Sequence, residues 1–253
     1  MKQRLLTGGV LLAVFAVLIY LNIRFINFLV FALMLGIGLF EAFKLYDLKE
    51  NQSKWIALAI ALFALIPFSQ GDEPFTATLK ICMIAIVAVS SIVAFKKMQN
   101  PQIILPFIYP FAPICLMWAI YDDLGIFHFV WLIVTVIACD SGAYFVGKMF
   151  GKTPFSPSSP NKTLEGIIGG IALAFIVSFI YARIFTNLPP LEILSKTLVI
   201  VVFGIFGDLF ESYLKRRVGI KDSGNLFPGH GGVLDRIDGY MFGAIAMVVV
   251  YSW

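Results

Sequence analysis

Long apolar runs separated by short polar segments occupy most of the chain. A helix needs about 20 predominantly apolar residues to cross the hydrocarbon core of a bilayer. The pattern therefore predicts nine membrane-spanning helices. The first is interpreted as a retained span, because it lacks a convincing small-x-small cleavage site. The nine predicted spans are 5–22, 25–43, 55–70, 77–95, 103–121, 126–146, 166–186, 194–213 and 237–252.

The fifth apolar run differs from the others because it contains Pro106, Pro110 and Pro113. Proline removes a backbone donor and clashes with the preceding turn of a helix. In a membrane, neighbouring helices can satisfy the backbone groups that such a break leaves open. We expect this span to be kinked or broken.

Composition narrows the class of protein. The 253 residues are 60% hydrophobic and 13% charged, with a mean hydropathy of +0.91, whereas soluble domains carry about 25% charged residues. So few polar residues cannot cover the core of a soluble domain. A β-barrel is also disfavoured, because its strands alternate apolar and polar positions over about ten residues. We therefore predict an all-α fold, a polytopic integral membrane protein.

Cys82, Cys115 and Cys139 lie in apolar runs, which favours buried thiols over a zinc site.

The distribution of positive charge orients the predicted spans. Lys and Arg favour the cytoplasmic side of short loops. With the N-terminus inside, 15 of the 19 Lys and Arg residues fall on the inner side. The pattern thus predicts a cytoplasmic N-terminus and a C-terminus outside. The two longest polar segments, 147–165 and 214–236, then both face the cytoplasm and could share one site. Residues 1–100 are predicted to be transmembrane helices without a motif, and 101–253 the catalytic region.

The segment 212–238 concentrates acids, bases and glycines in an otherwise apolar chain. Asp235 and Asp238 are three residues apart, so a helix would place them on one face. Two close carboxylates repel each other unless a cation lies between them. Carboxylate oxygens suit Mg²⁺ or another divalent cation, and Asp222 is a third candidate ligand from the loop.

The same segment offers groups for binding phosphate. Glycines such as Gly231 and Gly232 let backbone N–H groups approach a phosphate closely, and the cations at 215–217 and Arg236 can contact its oxygens. His230 is a candidate for proton transfer, although its flanking glycines favour a backbone role. The alternative is an interfacial loop whose cations meet anionic lipid headgroups.

A second polar constellation begins at the inner end of the sixth span. Asp140 and Tyr144 are one helical turn apart, and an acid beside an apolar run usually faces a cavity or a partner. Lys148 and Lys162 follow in a loop rich in glycine, proline and serine. The spacing is not that of a Walker motif, and an ordinary positive-inside loop is an equal alternative.

Three further charged residues share one face at the end of the eighth span. Asp208, Glu211 and Lys215 are spaced by three and four, which leaves a structural ion pair and a catalytic role equally open. Glu41 ends the second span and is expected to pair with Lys44 rather than to act in catalysis.

Taken together, these residues resemble two signatures of the phosphatidate cytidylyltransferases (CDP-diacylglycerol synthases). The first hundred residues carry no matching motif. The main signature comprises Ser212, Leu214-Lys215-Arg216, Lys221-Asp222, Phe227-Pro228, His230-Gly231-Gly232 and Asp235-Arg236-Ile237-Asp238. The second comprises Asp140-Ser141, Ala143-Tyr144, Gly147-Lys148, Ser159-Pro160, Lys162-Thr163 and Glu165-Gly166.

The resemblance implies that CTP and phosphatidic acid react to give CDP-diacylglycerol and pyrophosphate. It implies a divalent cation, Mg²⁺ or similar, and no nucleic-acid partner, and it leaves a homodimer open. The expected location is the bacterial inner membrane, with the site facing the cytoplasm. Expected metal ligands are Asp222, Asp235 and Asp238, with Asp140 as an additional ligand. Expected catalytic residues are Asp222, Asp235, Asp238, Lys215, Arg236 and His230. Expected nucleotide- or phosphate-binding residues are Asp140, Tyr144, Lys148, Lys162, Arg216, Lys221, Gly231 and Gly232.

Two other functions remain open from the sequence. Another CTP-using lipid enzyme, such as a polyprenol kinase, would produce a phosphorylated alcohol instead of a nucleotide-capped lipid. An ion-coupled transporter would use acids within the membrane to carry ions. The transporter is disfavoured, because the charged residues cluster on one side of the predicted topology.

Overall fold

The computed structural model of the protein describes residues 2–49, 51–69 and 73–251. Residues 70 and 252, which end the third and ninth predicted spans, lie outside the described residues. Most of the described chain is helical, which confirms the all-α prediction. Its elements are α1 (Lys2–Leu21), α2 (Arg24–Leu45), α3 (Gln52–Leu65), α4 (Thr76–Phe95), α5 (Ala112–Leu124), α6 (Ile126–Phe150), β1 (Pro154–Ser156), β2 (Ser159–Thr163), α7 (Leu164–Phe185), α8 (Pro190–Arg217) and α9 (Leu234–Tyr251).

Six helical segments among the described residues are long and apolar enough to cross a membrane. They are α2, α4, the segment Pro101–Leu124, α6, α7 and α8. The apolar parts of α1 and α3 are shorter, and α9 carries three charged residues near its start. The chain is therefore an integral membrane protein, while the count of nine spans and the orientation of the termini stay predictions.

The proline-containing fifth span is broken, as its sequence predicts. It begins with a 3₁₀ turn at Pro101–Ile104 and continues as a π-helical turn at Phe107–Phe111 before α5 begins. Tyr109 leaves the helical conformation, with φ −145° and ψ 116°. It precedes Pro110, and the ring of a proline disfavours helical geometry at the residue before it.

The described residues form two compact units that interleave along the chain. The first contains those of Met1–Asp123 and Arg217–Ile237, and the second those of Leu124–Arg216 and Asp238–Trp253. The main signature segment thus belongs largely to the unit built by the first half of the chain. The division of function at residue 100 stays a prediction.

An aromatic cluster forms part of the core of the first unit. The rings of Phe28 and Phe63 stack with centroids 4.8 Å apart, and both meet the edge of the buried Trp118. Burying such large side chains supplies much of the packing energy of a helical core. Cys82 and Cys115 are buried and free in this unit, as the sequence predicts.

The second unit is centred on a close approach of α6 and α7. A Cβ atom added to Gly142 would lie 2.8 Å from the carbonyl oxygen of Gly169, and one added to Gly170 would lie 2.6 Å from that of Cys139. Such small residues let two membrane helices pack backbone against backbone. Cys139 is buried and free in this unit too.

Two features of the second unit extend beyond the sequence prediction. A short antiparallel hairpin, β1–β2, stands where the sequence predicts a loop rich in glycine, proline and serine. Its strands begin at Pro154 and Ser159 and are too short to show an alternating pattern. Helix α8 continues beyond the predicted span to Arg217, so Arg216 lies on the same helix as Lys215.

Candidate active site

The glycine-rich loop of the main signature contains a tight turn. The N–H of His230 donates to the carbonyl oxygen of Phe227 over 2.8 Å, and the N–H of Phe227 donates to that of Gly231 over 2.9 Å. Pro228 and Gly229 form the centre of this turn. Gly229 has a φ of 76°, which is the conformation that a type II turn requires after proline. Proline and glycine in this order thus shape the loop that carries His230.

Asp235 holds both ends of this loop through one carboxylate oxygen. Its Oδ2 accepts hydrogen bonds from the N–H of Ser223 (2.7 Å), the hydroxyl of Ser223 (2.9 Å) and the N–H of Gly232 (2.8 Å). Asp235 is buried in the first turn of α9. The residue predicted as a metal ligand therefore also has a structural role in the loop.

Glu41 is the residue that the sequence prediction underestimates. It does not pair with Lys44, whose ammonium group lies 4.3 Å from the centre of the Phe40 ring. Instead, its carboxylate accepts hydrogen bonds from the N–H groups of Val233 and Leu234, and it shares the single hydroxyl proton of Ser223 with Asp235. The signal available in the sequence was an acid within an apolar run, since such residues usually have a specific partner.

A cavity of about 620 Å³ in the first unit, here called the loop cavity, lies between the end of α2 and the start of the signature loop. Asp222 lines it, as does Arg217. Burial raises the pKa of the nearby Tyr46 hydroxyl, and the positive charge of Arg217 partly opposes this effect. The lining residues are Lys44, Asp47, Arg217, Val218, Ile220, Asp222, Ser223, Gly224 and Asn225.

A second cavity, of about 270 Å³, lies within the second unit and is here called the hairpin cavity. It brings together Asp140, Tyr144 and Lys162, which the sequence predicts for nucleotide binding, and adds Asp208. Lys162 forms an ion pair with Asp208. Lys148 lies beside the cavity residues, with its ammonium group 5.8 Å from the centre of the Tyr144 ring.

The hairpin is fixed by the start of α7. Both oxygens of Glu165 take part, since Oε2 accepts hydrogen bonds from the N–H groups of Lys152 and Thr153, and Oε1 accepts one from the Thr153 hydroxyl. The Thr163 hydroxyl accepts a hydrogen bond from the N–H of Gly166 over 3.2 Å, which is the usual arrangement at a helix N-terminus. These contacts hold Lys162 next to the N-terminus of α7.

Three carboxylates lie close together where α8 and α9 meet in the second unit. Asp208 and Glu211, both on α8, lie close enough to Asp238 to act on its carboxyl group. The ammonium nitrogen of Lys215 lies 3.5 Å from Oε1 of the fully buried Glu211. The α8 charges thus include an ion pair and a neighbour of a predicted site residue, and a catalytic role for them stays a prediction.

The predicted metal ligands are carboxylates, the donor type that suits a hard divalent cation. Mg²⁺ usually binds through one or two carboxylates and takes its remaining ligands from water and substrate phosphate. Within 2–49, 51–69 and 73–251, no group of three His, Cys, Asp or Glu residues is arranged to hold a metal ion. Asp208 and Asp238 are two neighbouring carboxylates in the second unit, and a cation bound at Asp238 stays a prediction.

The other predicted site residues divide between the two units. Asp222, Lys221, His230 and the two loop glycines belong to the first unit, and Asp140 belongs to the second. Lys221 and Asp222 are exposed, and so are Arg216 and Arg236. Gly231 and Asp235 are in close contact, because a Cβ at Gly231 would overlap the Asp235 carboxylate.

Comparison with known sequences identifies the family. Residues 2–253 match the profile of the cytidylyltransferase family. The chain belongs to this family. A phosphatidate cytidylyltransferase of Helicobacter pylori strain J99 is 38% identical over 253 residues, covering 98% of this chain and 91% of the relative. Proteins of the same name from Bacillus subtilis strain 168 and Thermotoga maritima are each 35% identical, covering 96% and 100% of this chain and 94% and 96% of the relatives.

Family membership confirms the resemblance inferred from the two signatures. The protein is an enzyme, a transferase of the cytidylyltransferase family. The match also extends through the first hundred residues, where the sequence offers no recognisable motif.

Proposed function

We propose that this protein transfers CMP from CTP to phosphatidic acid, giving CDP-diacylglycerol and pyrophosphate. A phosphate oxygen of phosphatidic acid forms a new bond to the α-phosphorus of CTP. The bond from that phosphorus to the oxygen bridging to the β-phosphorus breaks, and pyrophosphate leaves with the electron pair. No covalent intermediate with the protein is required, because the reaction depends on positioning and charge stabilisation.

The single observation that carries this proposal is the match over nearly the whole chain to relatives named phosphatidate cytidylyltransferase. The cavities are consistent with it. Lys162 at the hairpin cavity and Lys215 on α8 offer positive charge to phosphate oxygens. Lys148, Arg216, Lys221 and Arg236 are proposed to add to this charge.

A divalent cation is part of the proposal. Asp208 and Asp238 would hold it together with substrate phosphate, while Asp140, Asp222 and Asp235 stay predicted ligands. When bound, such an ion withdraws charge from the phosphoryl oxygens and orients them. Lys162 and Lys215 hold the neighbouring carboxylates in place through their ion pairs.

The diacyl chains of the substrate are proposed to stay in the bilayer, while CTP enters from the cytoplasm. The support is the 15 of 19 Lys and Arg residues on one side of the predicted topology. The bacterial inner membrane is the proposed location, and a homodimer stays a prediction.

Labelled CTP tests the reaction directly. The purified protein in lipid nanodiscs is incubated with phosphatidic acid and CTP carrying label in either the α- or the γ-phosphate. We expect α-label to enter lipid with one equivalent of pyrophosphate released, and γ-label to stay in the water-soluble fraction. EDTA should stop the reaction and added Mg²⁺ should restore it.

With a polyprenol added to the nanodiscs, a polyprenol kinase would produce the reverse pattern, with γ-label in the phosphorylated alcohol. Folded protein that transfers no α-label to phosphatidic acid would reject the proposed reaction. Ion uptake into vesicles without nucleotide turnover would favour the transporter.

A further inference from the structure

Glu41 is a buried acid in the part of the chain that carries no recognised motif. It lies in the second-last turn of α2 and is only 2% exposed. Within the described residues, no Lys, Arg or His forms an ion pair with it. Burying a carboxylate is costly unless hydrogen bonds replace its lost hydration. The three groups that donate to Glu41 therefore identify the segment that it holds in place.

All three donors come from the signature loop and the start of α9. Oε1 accepts a hydrogen bond from the N–H of Val233 (3.0 Å), and Oε2 accepts one from the N–H of Leu234 (2.9 Å). These N–H groups lie at the N-terminus of α9, where backbone donors lack helical partners and the helix dipole favours negative charge. The hydroxyl of Ser223 lies 2.9 Å from the same Oε2.

The loop backbone is shaped to admit the Glu41 carboxylate. A Cβ atom at Gly232 would overlap its Oε1, Oε2 and carboxyl carbon, and one at Gly224 would overlap Oε1. The two glycines are therefore required by the close approach of Glu41. The contact depends on glycine in the loop and on a long acidic side chain from α2. It is therefore specific to these residue types.

Asp235 contacts the same serine hydroxyl as Glu41. Its Oδ2 lies 2.9 Å from the Ser223 hydroxyl, as does Oε2 of Glu41. Ser223 opens the loop and Gly232 closes it, so the two carboxylates hold both ends. The intervening residues include His230, and Asp222 lies immediately before Ser223. The positions of these predicted site residues thus depend on an acid from α2.

We propose that Glu41 is a positioning residue for nucleotidyl transfer. It holds Ser223 and the Gly232–Leu234 segment in register, and through them the residues predicted to contact the substrate. This inference rests on the proposed function. Glu41 itself is enclosed by loop backbone, so its effect is exerted through the loop and not by contact with CTP or lipid.

Glu41→Gln is the main test, because glutamine keeps the shape of the side chain. Both Glu41 oxygens accept a backbone N–H, so either orientation of the amide turns an NH₂ group towards a donor. We expect kcat to fall at least about 10-fold, while KM for CTP changes less than about threefold, since misplaced groups chiefly slow the chemical step. Hydrogen exchange at the amides of residues 232–234 should become faster, with the other helices unchanged.

Glu192→Gln is the matched control. Glu192 lies at the start of α8 and forms an ion pair with Lys196 at 3.2 Å. The same change of charge there should leave kcat within about twofold and the exchange at residues 232–234 as in the wild type. A fall in kcat in the control would show that loss of any acid is enough and would overturn the proposal.

Ser223→Ala provides a second test that does not require Glu41→Gln to fold. It removes the one hydroxyl that contacts both carboxylates and leaves the backbone donors in place, so kcat should fall less than in Glu41→Gln. If both residues act through one loop, the double variant should be no slower than about the slower single variant. Three outcomes would each overturn the proposal. They are additive losses of kcat in the double variant, an unchanged kcat in the folded variants, and slower turnover with wild-type amide exchange at residues 232–234.

The exchange measurement separates this inference from the proposed reaction. A wild-type protein that makes no CDP-diacylglycerol would contradict the reaction. The comparison of amide exchange between wild type and Glu41→Gln would still decide whether Glu41 holds the loop.

Discussion

Asp235 combines a predicted site role with an observed structural one. Its spacing from Asp238 predicts a cation site, whereas its Oδ2 accepts three hydrogen bonds from the two ends of the loop. All three donors use the same oxygen. An asparagine with its amide oxygen in that position can therefore keep the loop hydrogen bonds while it removes the negative charge, so substitution can separate the two roles.

Asp235→Asn should lower kcat about 100-fold, the scale seen when one group that stabilises transition-state charge is removed. The exchange of the Ser223 and Gly232 amides should stay close to that of the wild type. Asp235→Ala should lower kcat and also speed that exchange. Turnover with labelled CTP and hydrogen exchange on the same samples measure both effects. Near-normal turnover in the asparagine variant would show that the charge of Asp235 is not part of a cation site.

At the scale of elements, the contact of α6 with α7 determines the shape of the hairpin cavity. Asp140 and Tyr144 lie on α6, while Lys162 precedes α7. The two backbones approach each other through Gly142 and Gly170, so the positions of these side chains depend on residues without functional groups. The apolar pattern predicts both helices, but it does not predict their separation.

Gly170→Ala should destabilise this pair of helices. The new Cβ would lie 2.6 Å from the carbonyl oxygen of Cys139, and such overpacking typically costs about 1–3 kcal/mol. We expect the thermal unfolding temperature in detergent to fall by several degrees. Gly9→Ala on α1 is the control, because an added Cβ there meets no atom within 4 Å. Equal unfolding temperatures for the two variants would show that the helices separate without cost.

At the scale of the whole molecule, the positive-inside pattern is the basis for the proposed orientation. The six long apolar helices establish an integral membrane protein, whereas the side on which each loop lies rests on the distribution of Lys and Arg. The three native cysteines are buried, so single cysteines added to the loops can be labelled with little background.

Cysteine labelling in intact spheroplasts tests this orientation. A membrane-impermeant maleimide should label Glu73→Cys and Asn187→Cys, whose positions are exposed and predicted to lie outside. Lys96→Cys and Lys152→Cys are exposed positions predicted to lie inside, and they should react only after permeabilisation. Labelling of the second pair in intact spheroplasts would contradict the predicted topology.

The sequence by itself determined the membrane class, the broken fifth span and the family. Apolar runs of about 20 residues and the backbone chemistry of proline act locally, and the signature residues lie close together along the chain. Only the tertiary structure decided what these residues contact. Glu41 meets Leu234 across 193 positions of the chain, Lys162 meets Asp208, and the signature loop joins the unit of the first helices. Such contacts depend on how helices pack, and an apolar run predicts a helix without specifying which neighbour it packs against.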